Sequence, residues 1–159
     1  MSSGVDPGEF RAVLGHFASG VTLVTGMHDG HPAGLTCQSF FSLSLDPPLV
    51  AFAPGKSSSS WPRASSTGSV CINVLASDQE GLARTFSQSG ADKFAGVGWT
   101  PAGNGAPRLQ GALAWIDCTI ENTHEEGDHW LVTARVEAVE SSRGEPLLFY
   151  RGGFGGFAS

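Results

Sequence analysis

Hydroxyl and apolar side chains alternate through residues 34–50, Gly-Leu-Thr-Cys-Gln-Ser-Phe-Phe-Ser-Leu-Ser-Leu-Asp-Pro-Pro-Leu-Val. That two-residue period is the period of a β-strand. Thr36, Gln38 and Ser42 share one parity and Ser39 and Phe41 the other, so one face can be polar while the other joins a core. The polar positions ahead of Asp46 carry no charge. Solubility explains such a strand poorly; a ligand rich in carbonyls and ring nitrogens explains it better. Asp46-Pro47-Pro48 ends the strand, because proline fixes φ and lacks a ladder donor, and Leu49-Val50-Ala51-Phe52-Ala53 begins the next.

The remaining pattern is one of short elements. Asp6-Pro7-Gly8-Glu9 predicts a capped helix start, followed by a helical face of Phe10, Val13, Leu14 and Phe17 that ends at Gly20. A β-branched strand at 21–25 leads to His28-Asp29-Gly30-His31, which contains the Asp-Gly pair of a hairpin. A short helix is expected at 60–65, a strand at 70–75 and a second capped helix at 78–86, with a Gly-rich, irregular connection at 94–104. Strands at 112–123, 129–141 and 147–150 complete the chain. With 22 glycines and 9 prolines among 159 residues, turns are frequent. Many short strands with helices outside them suggest a single mainly β domain over residues 1–159, a closed antiparallel barrel with a few flanking helices. The pattern fits other small α+β domains as well.

Charge and cysteines narrow the function. A net charge of −6 with no basic stripe argues against a nucleic-acid partner. No apolar run approaches the roughly 20 residues of a membrane helix. Met1-Ser2-Ser3-Gly4-Val5-Asp6 lacks the basic and apolar regions of a signal peptide. Cys37, Cys71 and Cys118 are odd in number and far apart, which predicts free thiols and a reducing cytoplasm. His28-x-x-His31 and His124-Glu125-Glu126 lie in polar, turn-like stretches with no third ligand placed, so no metal site is expected. No Gly-x-Ser-x-Gly elbow, Walker loop or dinucleotide fingerprint follows a strand.

The 34–50 stretch resembles the Thr-x-x-Ser-Phe-x-Ser-x-Ser-x-Asp-Pro-Pro-Leu-Val signature of the flavin reductase family with the FMN-binding split-barrel fold. The resemblance recurs in Gly20-Val21-Thr22-Leu23-Val24-Thr25, Cys71-Ile72-Asn73-Val74-Leu75, Asp92-Lys93-Phe94, Gly127-Asp128-His129 and Leu147-Leu148-Phe149-Tyr150-Arg151-Gly152, spanning residues 10–154. Lys56-Ser57-Ser58-Ser59-Ser60-Trp61 makes the chain most similar to reductases paired with aromatic-ring hydroxylases. The resemblance implies a closed split barrel and a homodimer with flavin near the subunit interface. It implies hydride transfer from NADH or NADPH to FMN or FAD, and release of reduced flavin to a separate oxygenase.

It also implies site residues. The strand with Thr36, Cys37, Gln38, Ser39 and Ser42 would hold the isoalloxazine, with Gln38 where the family commonly has asparagine and Cys37 as a small packing residue. The 56–61 run reads either as a serine linker entering a helix or as a phosphate site at a helix entrance. The resemblance favours the phosphate and carries over Lys56, Ser57 and Ser58. Phe94 joins the cofactor-binding set. Tyr150 and Arg151 lie near the flavin or the pyridine nucleotide in the family, although Arg151 also reads as a solvated strand-end charge; Phe154 stands where the family often has tyrosine. His129 is the catalytic candidate, beside the nicotinamide and able to orient its carboxamide. The rival readings are a flavin carrier without reductase activity and, less favoured for want of basic residues, an oxidase of a small pyridoxine phosphate.

Overall fold

The chain runs α1 (Pro7–Leu14), β1 (Ser19–Gly20), β2 (Thr22–His28), β3 (His31–Cys37), β4 (Phe41–Ser44) and β5 (Leu49–Phe52). It continues with α2 (Trp61–Ala64), β6 (Ser69–Val74), α3 (Glu80–Phe86), β7 (Trp99–Pro101), β8 (Pro107–Leu109), β9 (Ala114–Glu126), β10 (His129–Ser141), β11 (Leu148–Tyr150) and β12 (Gly153–Gly155). The structure is a computed structural model describing residues 4–90 and 92–157, so Met1 to Ser3 of the leader argument lie outside the described residues.

Seven strands form one antiparallel sheet in the order β3-β2-β6-β9-β10-β5-β4, beside a three-stranded sheet β1-β11-β12 and the pair β7-β8. Leu35 and Cys37 of β3 share a buried cluster with Val50 and Phe52 of β5, near the far edge. Val24, Ile72, Val132 and Ala134 belong to the same cluster, as do Trp61 and Ala64 of α2, which packs on β2 and β3. The sheet therefore wraps around a core to which both sides contribute. Among the described residues no ladder joins β3 to β4. Alternation puts the neighbours of Val24, Val21 and Leu23, on the other face, in a second cluster with Ala83 and Phe86 of α3, Phe94, Leu109 and Leu147.

Buried polar side chains tie the layers together. Asn73, fully buried, donates through Nδ2 to the Leu23 carbonyl and to Thr25 Oγ1, each at 3.0 Å, and its Oδ1 accepts from the Leu109 amide at 2.8 Å. Thr25 donates in turn to the Pro107 carbonyl at 2.6 Å. Arg108 pairs with the buried Asp117 at 2.8 Å and with Glu140. Strand β8 is thus held onto β2 and β6 by bonds whose loss would leave buried groups unpaired.

Three expectations are corrected. Residues 36–42 are not one strand: β3 stops at Cys37 and β4 starts at Phe41. The reason is Ser39, whose hydroxyl accepts from the Ala53 amide at 2.8 Å and donates to the Ala53 carbonyl at 3.3 Å, replacing ladder bonds. Parity therefore does not carry from Thr36 to Ser42. Helix α1 begins as expected, with Asp6 accepting from the Glu9 amide at 3.1 Å, but ends at Leu14 and buries none of its residues; Phe17 beyond it is 84% exposed. The 94–104 connection contains β7, paired with β8 rather than with the main sheet. The Asp29-Gly30 turn does form, both residues having positive φ (49° and 78°), as a two-residue hairpin requires.

Gly26 lets α2 lie on β2, because a Cβ there would come within 1.9 Å of the Ala64 carbonyl oxygen. Gly26→Ala is expected to cost at least about 3 kcal/mol, by overpacking against backbone that cannot yield. A fall in the urea midpoint without change in slope would show it.

Candidate functional site

A cleft of about 740 Å³ opens where β3 ends. Its walls are residues 35–39, the 53–60 loop after β5, residues 86–89 at the end of α3, Lys93, and His129 at the start of β10. The loop is docked onto the β9–β10 hairpin: the Trp130 amide donates to the Pro54 carbonyl and the Lys56 amide to the Asp128 carbonyl, both at 2.9 Å. Ser58 Oγ accepts from the Trp61 amide at 3.1 Å and so caps the single turn of α2. Trp61 is buried edge-on to Phe52, ring centroids 5.5 Å apart, which anchors that turn to the core.

Lys93 joins three sides of the cleft. Its Nζ donates to Ser60 Oγ at 2.8 Å, the Phe86 carbonyl at 3.1 Å and the Gly34 carbonyl at 3.4 Å. All three acceptors are neutral. Burial pulls this ammonium below the usual lysine range, and the charge on Arg63 pulls it further the same way. A partly desolvated cation with only neutral oxygens around it favours an anion at its open side.

Of the residues singled out in the sequence, Thr36, Cys37, Gln38, Ser39, Ser57, Ser58 and His129 line this cleft. Thr36 Oγ1 donates to the Ala83 carbonyl at 2.7 Å, holding α3 against β3. Among the described residues the side chains of Gln38, Ser57 and Ser59 have no partner, which leaves their donors and acceptors available to a ligand. His129 Nδ1 lies 2.7 Å from Asp128 Oδ1, and that bond holds the Asp128 carboxyl below the usual carboxylate range. The imidazole packs beside Gly55, where a Cβ would sit 3.7 Å from Nε2, so Nε2 faces the loop at the cleft.

Ser42, Lys56, Phe94, Tyr150 and Arg151 are not among the lining residues. Ser42 pairs with Val50 on the outermost strand. The Lys56 ammonium is 2.5 Å from Glu125 and 5.2 Å above the Trp130 ring, clamping the loop to the hairpin. Phe94 packs edge-on to Phe86 in the second cluster, centroids 4.9 Å apart. Tyr150 ends β11 and Arg151 follows it in the turn beside α1, the Arg151 amide donating to the Gly15 carbonyl at 3.0 Å.

Lys93, Ser60 and the Ser87-Gln88-Ser89 run belong to the cleft without having been singled out. Lys93 belongs to the Asp92-Lys93-Phe94 segment, of which the sequence points to Phe94 alone as a cofactor contact. A lysine flanked by an apolar residue, in a chain with few cations, was the available signal. For a phosphate-bearing flavin, Lys93→Met is expected to raise the FMN dissociation constant about tenfold or more, and that of riboflavin much less. Because the folded protein lowers the Lys93 pKa, FMN affinity should decline as pH rises through that depressed value; titrations of the variant should lack this decline.

Residues 14–158 match the model of the flavin reductase like domain. The chain is 49% identical over 153 residues to the reductase subunit HsaB of a flavin-dependent monooxygenase from Rhodococcus jostii (strain RHA1), covering 96% of this chain and 78% of that protein. Its fold matches the crystal structure of a nitrilotriacetate monooxygenase component B homologue from Mycobacterium thermoresistibile with a TM-score of 0.93 and 43% identity, over 99% of this chain and 89% of the other. The Streptomyces globisporus C-1027 NADH:FAD oxidoreductase SgcE6, in complex with NAD and FAD fragments, matches with a TM-score of 0.90 and 36% identity, over 99% and 98% of the two chains. A family model spanning nearly the whole sequence, on a cleft lined by neutral donors and one desolvated lysine, identifies this chain as a member of the flavin reductase family.

Proposed function

We propose that this protein is an NADH-dependent flavin reductase that binds FMN or FAD in the 740 Å³ cleft and passes reduced flavin to a separate oxygenase component. The observation that carries this reading is the donor set. Residues 36–39 offer backbone groups and the unpaired Gln38 amide along one wall, and Lys93 with Ser57, Ser58 and Ser60 offers an ammonium and hydroxyls elsewhere in the lining. That set suits a polar ring edge joined to a phosphate monoester. A flavin held there would supply the ring that accepts hydride from reduced nicotinamide.

The protein's part is orientation. Gln38, Ser39 and the neighbouring backbone hold the ring edge, with Thr36 and Cys37 packed behind them. Lys93 and the serines anchor the phosphate. His129, steadied through Nδ1 by Asp128, orients the nicotinamide carboxamide from the hairpin side. Hydride transfer between two rings held in near-attack geometry needs no strong acid or base in the protein.

A homodimer is part of the proposal. Phe10, Val13 and Leu14 of α1 are each more than half exposed, and Leu45 after β4 is 92% exposed, an apolar surface that a second copy would cover. A mostly apolar cleft of about 650 Å³ lined by Phe17, Phe40 and Phe41 shares Gln38 and Ser39 with the proposed flavin site, which supports an interface close to the flavin. In such a dimer Tyr150 and Arg151, beside α1, and Ser42, exposed on the edge strand, would lie near the interface and contact flavin or pyridine nucleotide; Lys56, through Glu125, and Phe94, through Phe86, brace the cleft walls. The Ser39–Ala53 bonds favour a closed split barrel, and three free buried thiols, with Cys118 pushed up to about 12 by burial, favour a reducing cytoplasm.

Anaerobic stopped-flow tests the reading. Flavin absorbance near 450 nm should bleach rapidly with NADH, faster than with NADPH. His129→Ala should slow bleaching about tenfold while changing the flavin dissociation constant less than about twofold. Tight flavin binding without bleaching above the protein-free rate would instead leave a carrier. In sedimentation runs, Leu14→Asp should convert the expected dimer to monomer.

A further inference from the structure

A smaller cleft, of about 310 Å³, shares no lining residue with the proposed flavin site. Thr100 of β7, Arg108 of β8, Gln110, Trp115 of β9 and Glu140 of β10 line it. Arg108 is fixed from behind: its Nε and Nη2 donate to Asp117 at 3.3 and 2.8 Å, and Asp117 is 2% exposed. Its Nη1 reaches Glu140, whose side chain is 61% exposed. Among the described residues Nη1 and Nη2 each keep one further N–H without a partner. The half-buried Trp115 donates its indole N–H to the Leu109 carbonyl at 2.9 Å, which holds the ring in the wall. The side chains of Thr100 and Gln110 have no partner among the described residues.

We infer that this cleft binds a small aromatic carboxylate, its carboxylate on Arg108 in place of Glu140 and its ring against Trp115. The two carboxylates on Arg108 are unequal. Asp117 is buried and neutralises the guanidinium permanently, whereas an ion pair to the exposed Glu140 is held weakly and is readily exchanged. A guanidinium locked in plane by Asp117 presents its remaining N–H groups in the fork that matches a planar carboxylate. A cationic ligand would face that guanidinium, while an anion displaces only Glu140. The volume suits a single ring, with Gln110 and Thr100 free to bond ring substituents. The inference is independent of the flavin reductase reading, because none of these residues touches the flavin cleft.

Calorimetric titration of the full chain with sodium benzoate as the probe is expected to give a dissociation constant of about 1 mM. Glu140→Gln removes the competing carboxylate at an exposed position and should lower that constant about tenfold. Trp115→Leu, added to Glu140→Gln, should raise it again about tenfold. Benzamide, of the same shape without the charge, should bind the Glu140→Gln variant at least about tenfold more weakly than benzoate. Glu140→Gln should leave the FMN dissociation constant within about twofold, and saturating FMN should leave benzoate binding unchanged. No benzoate binding to either the wild-type protein or Glu140→Gln would overturn the inference. So would an affinity that Glu140→Gln does not raise, equal binding of benzamide, or displacement of benzoate by FMN, which would place the probe in the flavin cleft.

Discussion

Lys93 is the interaction around which the site is organised. One ammonium, partly withdrawn from water, donates to the Phe86 carbonyl at the end of α3, the Gly34 carbonyl in β3 and the hydroxyl of Ser60 at the entrance to α2. Those three elements form most of the proposed phosphate end of the cleft. Desolvation makes the charge costly, and an anion in the cleft would offset that cost. The fold thus joins three elements through a group whose charge is better satisfied when a ligand is present.

The rest of the architecture keeps those elements in place. Gly26 allows α2 to approach β2 closely, Trp61 locks the same turn into the core, and Thr36 holds α3 on β3. On the opposite side, Lys56 with Glu125, and the backbone bonds at Pro54 and Asp128, fasten the 53–60 loop to the β9–β10 hairpin. That loop carries the serines, and that hairpin carries His129, so their separation across the cleft is set by the same contacts. Neutral groups predominate in the lining, which suits a reaction carried by two organic rings rather than by side-chain acids and bases.

Much of this was legible in the residues. Asp6-Pro7, Asp29-Gly30 and Asp46-Pro47-Pro48 mark local boundaries through backbone chemistry alone, and the structure ends or turns elements at each. Ser39 was harder, because alternation predicts a continuous strand, whereas a hydroxyl bonded to both backbone groups of a residue 14 positions away ends it. The difference between Lys56 and Lys93 depends on contacts that only the folded chain makes: one lysine meets Glu125, the other two carbonyls and a serine. Helix α1 has the amphipathic period of a core helix yet buries nothing within the chain. Periodicity reports that a face is apolar and is silent on whether the covering surface belongs to the same copy.

The most direct test is a crystal structure of the protein with flavin bound. Density should place the isoalloxazine edge along residues 36–39 and a phosphate oxygen within hydrogen-bond distance of Lys93 Nζ. A flavin lying elsewhere, with Lys93 still bonded only to Gly34, Ser60 and Phe86, would contradict the assignment of this cleft.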